Sequence, residues 1–269
     1  MRAQVREWAD YSVGLVPTMG ALHTGHRSLI ERADAENDLV VVSIFVNPLQ
    51  FGAGEDLSRY PRPVEADLDL LRQMDVEALY IPSVEDMYPP GSSTRVVVGA
   101  VAEPLEGAAR PGHFEGVATV VAKLLWTVEP DRAYFGQKDA QQVAVVRRMA
   151  EDLDTDVEIV VCPIVREADG LAVSSRNVYL APAERKAATS LSRALKTATE
   201  AYRKGEHDPT VLTTLMRNVI EGEPPARIDY AEVVDPGDFS SPGSLAVMGV
   251  RFGQTRLIDN HDLAEPYPG

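Results

Sequence analysis

Two histidines three residues apart, His23 and His26, follow the run Pro17-Thr18-Met19-Gly20-Ala21-Leu22 and are separated by Thr24 and Gly25. An apolar strand entering this run and a helix starting near Gly25 put both imidazoles at one helix start. The first-turn amides of a helix are unpaired donors with partial positive charge, so they attract phosphate. Two imidazole donors beside them can stabilise charge developing on a phosphoryl group, and Gly25 lets a ligand approach the backbone. A competing reading makes the pair a helix cap or packing feature. A zinc site is a third, although the third ligand of a His-Glu-x-x-His motif is missing. Neither Gly-x-x-x-x-Gly-Lys nor Gly-x-Gly-x-x-Gly occurs, so those two nucleotide-binding modes lack support.

A second cluster, Phe135-Gly136-Gln137-Lys138-Asp139-Ala140-Gln141-Gln142, again joins a strand to a helix. Lys138 offers a mobile cation for phosphate oxygens, and Asp139 suits an N-cap. Gln142 can donate and accept at once, as a hydroxy-acid ligand requires. The third cluster is Val173-Ser174-Ser175-Arg176-Asn177, two hydroxyls and a guanidinium that would clamp phosphate, with a plain Ser-rich linker as the alternative. Just before it, 165–170 reads as a strand end and turn, or a hinge. Gln50, in Asn47-Pro48-Leu49-Gln50-Phe51, falls at the carboxyl end of a strand, where such folds collect ligands. Arg110-Pro111-Gly112-His113-Phe114 is a flap or a packed loop, and the acidic run Glu65, Asp67, Asp69 reads as a solvated helix face.

The elements that must position these groups follow from hydrophobic periodicity. Strands are expected over 13–17, 39–46, 78–81, 132–135 and 157–162, and helices over 25–35, 63–74, 117–127 and 140–152. The run Val40-Val41-Val42-Ser43-Ile44-Phe45-Val46 has no polar alternation, so it is expected to be buried on both faces. Strand–helix alternation of this kind predicts an α/β fold with a doubly wound parallel sheet. Beyond Arg176 the rhythm changes. Helices over 182–204 and 209–220, then strands over 228–234, 244–250 and 255–258, predict a smaller C-terminal α+β domain. The expected division is 1–176 and 177–269.

Composition limits the partners. Of 269 residues 45% are apolar and 25% charged, enough for a sizeable core. Lys plus Arg number 26 against 41 Asp plus Glu, a net charge of -15, which repels nucleic-acid backbones. An anionic small molecule therefore needs locally gathered cations. The single cysteine, Cys162, excludes an intramolecular disulfide framework. No segment reaches the ~18 apolar residues of a membrane helix, and residues 1–10 lack the apolar stretch of a secretory signal, so a cytoplasmic protein is expected.

Taken together, these stretches resemble the pantothenate synthetase family, the pantoate–β-alanine ligases of coenzyme A biosynthesis. The resemblance runs from Pro17 to His26 through Phe45-Val46-Asn47-Pro48-Leu49-Gln50-Phe51, Arg110 to Phe114, Phe135 to Asp139 and Asp169 to Asn177, ending at Thr255-Arg256-Leu257-Ile258-Asp259-Asn260. The first motif is that family's form of the His-x-Gly-His signature of a nucleotidyltransferase superfamily. It implies a Rossmann-like domain and a C-terminal lid, and ATP-dependent condensation of (R)-pantoate with β-alanine through pantoyl adenylate, releasing pyrophosphate and then AMP. By motif match, Met19, Gly20, Ala21, Leu22, His23, Thr24, Gly25 and His26 contact ATP. So do Gly136, Gln137, Lys138, Asp139, Val165, Val173, Ser174, Ser175 and Arg176. The catalytic set is His23, His26, Lys138, Ser174, Ser175 and Arg176, with His26 in an acid role or as a transition-state hydrogen-bond donor. Gln50 and Gln142 hold pantoate, Gln50 also lying near β-alanine. Mg²⁺ accompanies ATP with no protein ligand assigned, and the resemblance implies a homodimer. A water-excluding closure by the C-terminal domain and the 110–114 loop is also expected, since the adenylate is a hydrolysable mixed anhydride.

The sequence departs from the family pattern in places. Sixteen residues precede Pro17, fewer than the family usually has, Ala66 stands where some relatives carry an acid, and Gln137 and Val173 replace a commoner Glu and Met. Two other functions compete. A His-x-Gly-His adenylyltransferase with a phosphorylated acceptor would need an added basic residue near Gln50 and Gln142. A catalytically silent nucleotide-binding protein would be signalled by loss of His26 or Lys138, and both are present.

Overall fold

The computed structural model describes residues 1–74 and 76–268. The chain forms two compact units. The first comprises Met1–Glu103, Arg110–Gly136 and Gln141–Pro163, and the second Pro104–Ala109, Gln137–Ala140 and the chain from Ile164 onward.

The first unit is built on β1 (Val13–Thr18), α1 (Thr24–Glu36), β2 (Leu39–Ile44), α2 (Val64–Leu71), β3 (Ala78–Tyr80), α3 (His113–Val128), β4 (Arg132–Gly136), α4 (Ala140–Asp152) and β5 (Glu158–Cys162). All strand pairs are parallel, in the order β3-β2-β1-β4-β5. This is the doubly wound sheet expected from the strand–helix alternation. Leu15, Val16, Val40, Val41 and Val42 are almost wholly buried, as uninterrupted β-branched runs require when both faces are covered. The amphipathic α1 sets Leu29, Ile30 and Ala33 against Val16, Val42 and Tyr134. Strand order reverses between β1 and β4, the topological switch point at whose carboxyl ends open α/β sheets bind ligands.

The helix expected over 117–127 starts four residues earlier, at His113. Gly112 turns the chain into it with φ 82°, and His113 and Phe114 are already buried. Cys162, buried at the end of β5, has its thiol pushed up by burial, which leaves it an inert core group.

The second unit contains α5 (Pro182–Ala188), α6 (Ser190–Arg203), α7 (Pro209–Glu221), β6 (Ala226–Val234), β7 (Leu245–Phe252) and β8 (Thr255–Asp262). The strands form an antiparallel sheet in sequence order. Leu191, Leu195, Leu212, Met216 and Ile220 from the helices share a core with Ala231, Met248, Val250 and Phe252. The single helix expected over 182–204 is interrupted at Thr189. There the amide and hydroxyl of Thr189 both donate to Lys186 O, at 3.3 and 2.8 Å, tightening the turn. The last strand runs to Asp262, four residues beyond expectation, and so takes in Asp259 and Asn260. Among the described residues no helix is long and apolar enough to cross a membrane.

Candidate active site

At the carboxyl end of β1 the Thr18 hydroxyl donates to Ser43 O (2.7 Å) and accepts from the Gly20 amide (3.2 Å). The chain then turns through two left-handed residues, Gly20 (φ 78°) and Ala21 (φ 51°). For Ala21 this conformation is strained, and something must hold it. The holder is Asp67 of α2, whose two carboxylate oxygens accept from the Ala21 amide (2.9 Å) and the Leu22 amide (2.7 Å). Asp67 is only 2% exposed, while Glu65 and Asp69 face solvent. The expectation of a solvated acidic face therefore fails at Asp67. Placed four residues before the buried Leu71, it shares the inward face of its helix.

His23 is the N-cap of α1, in extended conformation, and its amide donates to His26 Nδ1 at 3.3 Å. The two rings stack with centroids 4.0 Å apart. Because Nδ1 accepts, a neutral His26 carries its proton on Nε2, away from the helix backbone. Capping, through Nδ1, is thus one role of His26. A Cβ on Gly25 would lie 3.0 Å from the His23 ring, so this glycine also makes room for the imidazole. With its Nδ1 lone pair accepting the His23 amide, a neutral His26 has no second lone pair to offer zinc. Among the described residues no group of three or more His, Cys, Asp or Glu could hold a metal.

Gln50 is 8% exposed in the turn after β2. Its Oε1 accepts from Asn47 Nδ2 (3.0 Å), and its Nε2 lies 3.2 Å from Met19 Sδ, which brings it beside the β1 turn. Asn47 is fully buried and saturated, donating also to Gly116 O (3.0 Å) and accepting from the Tyr88 hydroxyl (2.9 Å) and the Leu49 amide (3.3 Å). A Cβ on Gly116 would sit 2.4 Å from Leu49 O, so only glycine lets α3 approach this turn. Gln50 O accepts from His113 Nδ1 (2.9 Å) and Arg110 Nη2 (3.2 Å), and Arg110 Nη1 donates to His113 Nε2 (3.1 Å). Arg110 also pairs with Glu55 at 2.7 and 2.8 Å. Burial alone would raise the Glu55 carboxyl, but the Arg110 guanidinium outweighs it and holds the group below the usual carboxylate range. The 110–114 segment is therefore the packed loop of the two alternatives, bracing Gln50. Asn47 and Tyr88 were missed as site-building residues. The signal for Asn47 was an amide just past a buried, mostly apolar strand, where it needs partners.

On α4 the adjacent glutamines divide. Gln141 is buried and donates to Val101 O (2.9 Å), whereas Gln142 is half-buried in the first turn of the helix.

The other expected residues lie in the second unit. Gln137–Asp139 form one tight 3-10 turn directly after Gly136, the last residue of β4. Lys138 Nζ lies 3.7 Å from Asp139 Oδ1, a loose pair with the lysine chain 20% exposed. Val165 and Val173 are joined by a backbone bond (Val173 N to Val165 O, 2.9 Å), and Arg166 bridges Ala172, making 165–173 a closed hairpin rather than a hinge. Ser174 caps the Ser175–Tyr179 turn by accepting from the Arg176 amide at 3.3 Å. Ser174, Ser175 and Arg176 are half-buried on an ordered support, not on a Ser-rich linker. The expected site residues are thus shared between the units. Met19, Gly20, Ala21, Leu22, His23, Thr24, Gly25, His26, Gln50, Gly136 and Gln142 are in the first, and Gln137, Lys138, Asp139, Val165, Val173, Ser174, Ser175 and Arg176 in the second.

Comparison with known proteins is consistent in both sequence and structure. A family model described as pantoate-beta-alanine ligase matches residues 1–262. The chain is similar to the pantothenate synthetase of Roseiflexus castenholzii, 59% identical over 254 residues that cover 93% of this chain and 91% of the relative. The crystal structure of pantothenate synthetase from Thermus thermophilus superposes with a TM-score of 0.93 at 48% identity, over 100% of this chain and 98% of that one. Pantoate-beta-alanine ligase from Francisella tularensis, solved in complex with β,γ-ATP and β-alanine, gives a TM-score of 0.80 at 36% identity, covering 96% and 92%.

Proposed function

The chain belongs to the pantoate-beta-alanine ligase family, and from that premise we propose how its residues carry out the ATP-dependent joining of (R)-pantoate to β-alanine. A pantoate carboxylate oxygen attacks the α-phosphorus of ATP. The bond to the bridging oxygen breaks, giving pantoyl adenylate and pyrophosphate. The β-alanine amine then attacks the acyl carbon, the acyl–phosphate bond breaks, and AMP leaves with pantothenate.

Neither step needs a protein nucleophile. What the first step needs is donors and cations aimed at oxygens that gain negative charge. His26 donates from Nε2 and His23 stands beside it at the helix start. Lys138, Ser174, Ser175 and Arg176 bring the positive charge and hydroxyls that a chain of net charge -15 must concentrate locally. Met19 through Thr24, Gly25, Gly136, Gln137, Asp139, Val165 and Val173 complete the ATP contacts. Gln50 and Gln142 orient pantoate through neutral hydrogen bonds, and Gln50 also borders β-alanine. Mg²⁺ enters with ATP as part of the substrate and offsets triphosphate charge. The observation that supports this reading best is the His23 amide bond to His26 Nδ1 at the start of α1, which in a neutral ring puts the proton on Nε2 beside the sheet's switch point.

Purified protein with MgATP should release pyrophosphate only when pantoate is added, and form AMP and pantothenate only when β-alanine follows. Gln142→Ala should raise KM for pantoate about 10-fold or more, for one lost polar contact, with KM for ATP within about twofold. Pantoate-independent turnover, or a change in ATP rather than pantoate affinity, would place the acceptor pocket elsewhere. The same reading includes a cytoplasmic homodimer; a single monomeric species at every concentration in sedimentation velocity would remove the dimer from it.

A further inference from the structure

β8 carries two polar residues side by side, Asp259 and Asn260, only 1% and 3% exposed. Consecutive strand residues point to opposite faces, so each serves a different neighbour. Asp259 makes a two-pronged ion pair with Arg166 at 2.7 and 2.9 Å, and its Oδ1 also accepts from the Asn260 amide at 2.8 Å. Arg166 donates in addition to Gly170 O (3.1 Å) and lies 5.3 Å over the Tyr267 ring. It therefore ties Asp259 to the 165–173 hairpin. Asn260 works on the turn that follows β4. Its Nδ2 donates to the carbonyls of Gln137 (2.9 Å) and Lys138 (3.0 Å), while its Oδ1 accepts from Gln137 Nε2 (3.0 Å). A buried charge costs stability unless it is paired and hydrogen-bonded. This one sits where a single strand reaches both segments that carry the proposed phosphate cations.

We infer that Asp259 and Asn260 are positioning residues for the adenylation step. Asn260 fixes the backbone from which Lys138 extends. Asp259, through Arg166, fixes the hairpin from which Ser174, Ser175 and Arg176 follow. A lysine has four rotatable bonds and aims well only from a rigid anchor, and a displacement of about 1 Å at such a group costs on the order of 100-fold in rate. The inference rests on the reading above, in which these cations meet the triphosphate.

A double-mutant cycle on the full chain separates positioning from plain stability. Asn260→Ala should lower kcat for pantoate-dependent pyrophosphate release about 10- to 30-fold, within the range of coupled contacts, and leave KM for pantoate within about twofold. In a Lys138→Ala background the same change should cost less than about threefold, because the residue it aims is already gone. Asp259→Asn should give the complementary pattern, multiplying with Lys138→Ala but not with Arg176→Ala. If Asn260→Ala has no effect alone, or multiplies fully with Lys138→Ala, the inference is overturned. If Lys138→Ala itself adenylates normally, the assignment of Lys138 fails first, which is a separate result. Should Asn260→Ala not fold, Asn260→Ser enters the same cycle with the same expectations.

Discussion

His26→Ala should lower adenylation by about 10²–10³-fold, the loss seen when one preorganised donor to a developing oxyanion is removed. The expected loss is in kcat, since a donor aimed at charge that exists only in the transition state contributes little to ground-state binding. The same substitution also deletes the acceptor for the His23 amide, worth about 1 kcal/mol as a helix cap. A fall in rate alone therefore does not separate chemistry from a frayed helix start. His26→Asn does, because its side-chain oxygen can accept the His23 amide while it carries no Nε2 donor at the imidazole position. The melting temperature should return toward wild type in His26→Asn and the rate should not. If both return, His26 is a cap and no more. Normal turnover of a folded His26→Ala protein would remove the residue from the mechanism.

That double role explains what the sequence could and could not disclose at this corner. The spacing of His23 and His26 was enough to place both rings at one helix start, and the apolar β1 and β2 were enough to put that start at a parallel sheet's edge. The contact of Gly25 with the His23 ring was not legible, because it is set by a side-chain rotamer rather than by spacing. The break at Thr189 was hidden for a similar reason. Its hydroxyl competes for a carbonyl that helix periodicity assigns elsewhere. Asp259 and Asn260 are the clearest long-range case. Two adjacent residues of low β propensity inside a strand are a local oddity, but their partners lie 93 and 122–123 positions away and no periodicity reports them. The run Glu65, Asp67, Asp69 reads as one acidic face, which Asp67 does not share. Glu65 and Asp69 do face water, and the i,i+4 relation of Asp67 to Leu71 was the available signal that it does not.

Asp67 is also where the largest stability effect is expected. Asp67→Ala leaves the partly buried Ala21 and Leu22 amides without their acceptor, and releases a residue held at φ 51°. Two charge-assisted bonds to partly buried donors are worth about 2–4 kcal/mol together, so the melting temperature should fall by about 5–15 °C for a chain of this size. Two effects on activity oppose each other. Removing a carboxylate near a phosphate site should strengthen ATP binding electrostatically, by less than about 1 kcal/mol if water reaches the site. Loosening the Gly20–Ala21 turn shifts Met19 on one side, which touches Gln50, and His23 on the other, and misplacement of about 1 Å costs on the order of 100-fold. Geometry should win, giving a large fall in kcat with KM for ATP unchanged or lower. Asp67→Asn discriminates further. It keeps one acceptor oxygen but turns an NH₂ toward the second amide, so it should lose at least half the stability despite its matching shape. A variant that melts like wild type would show that the turn holds itself without Asp67. A fall in ATP affinity with kcat preserved would mean that the carboxylate serves the nucleotide directly.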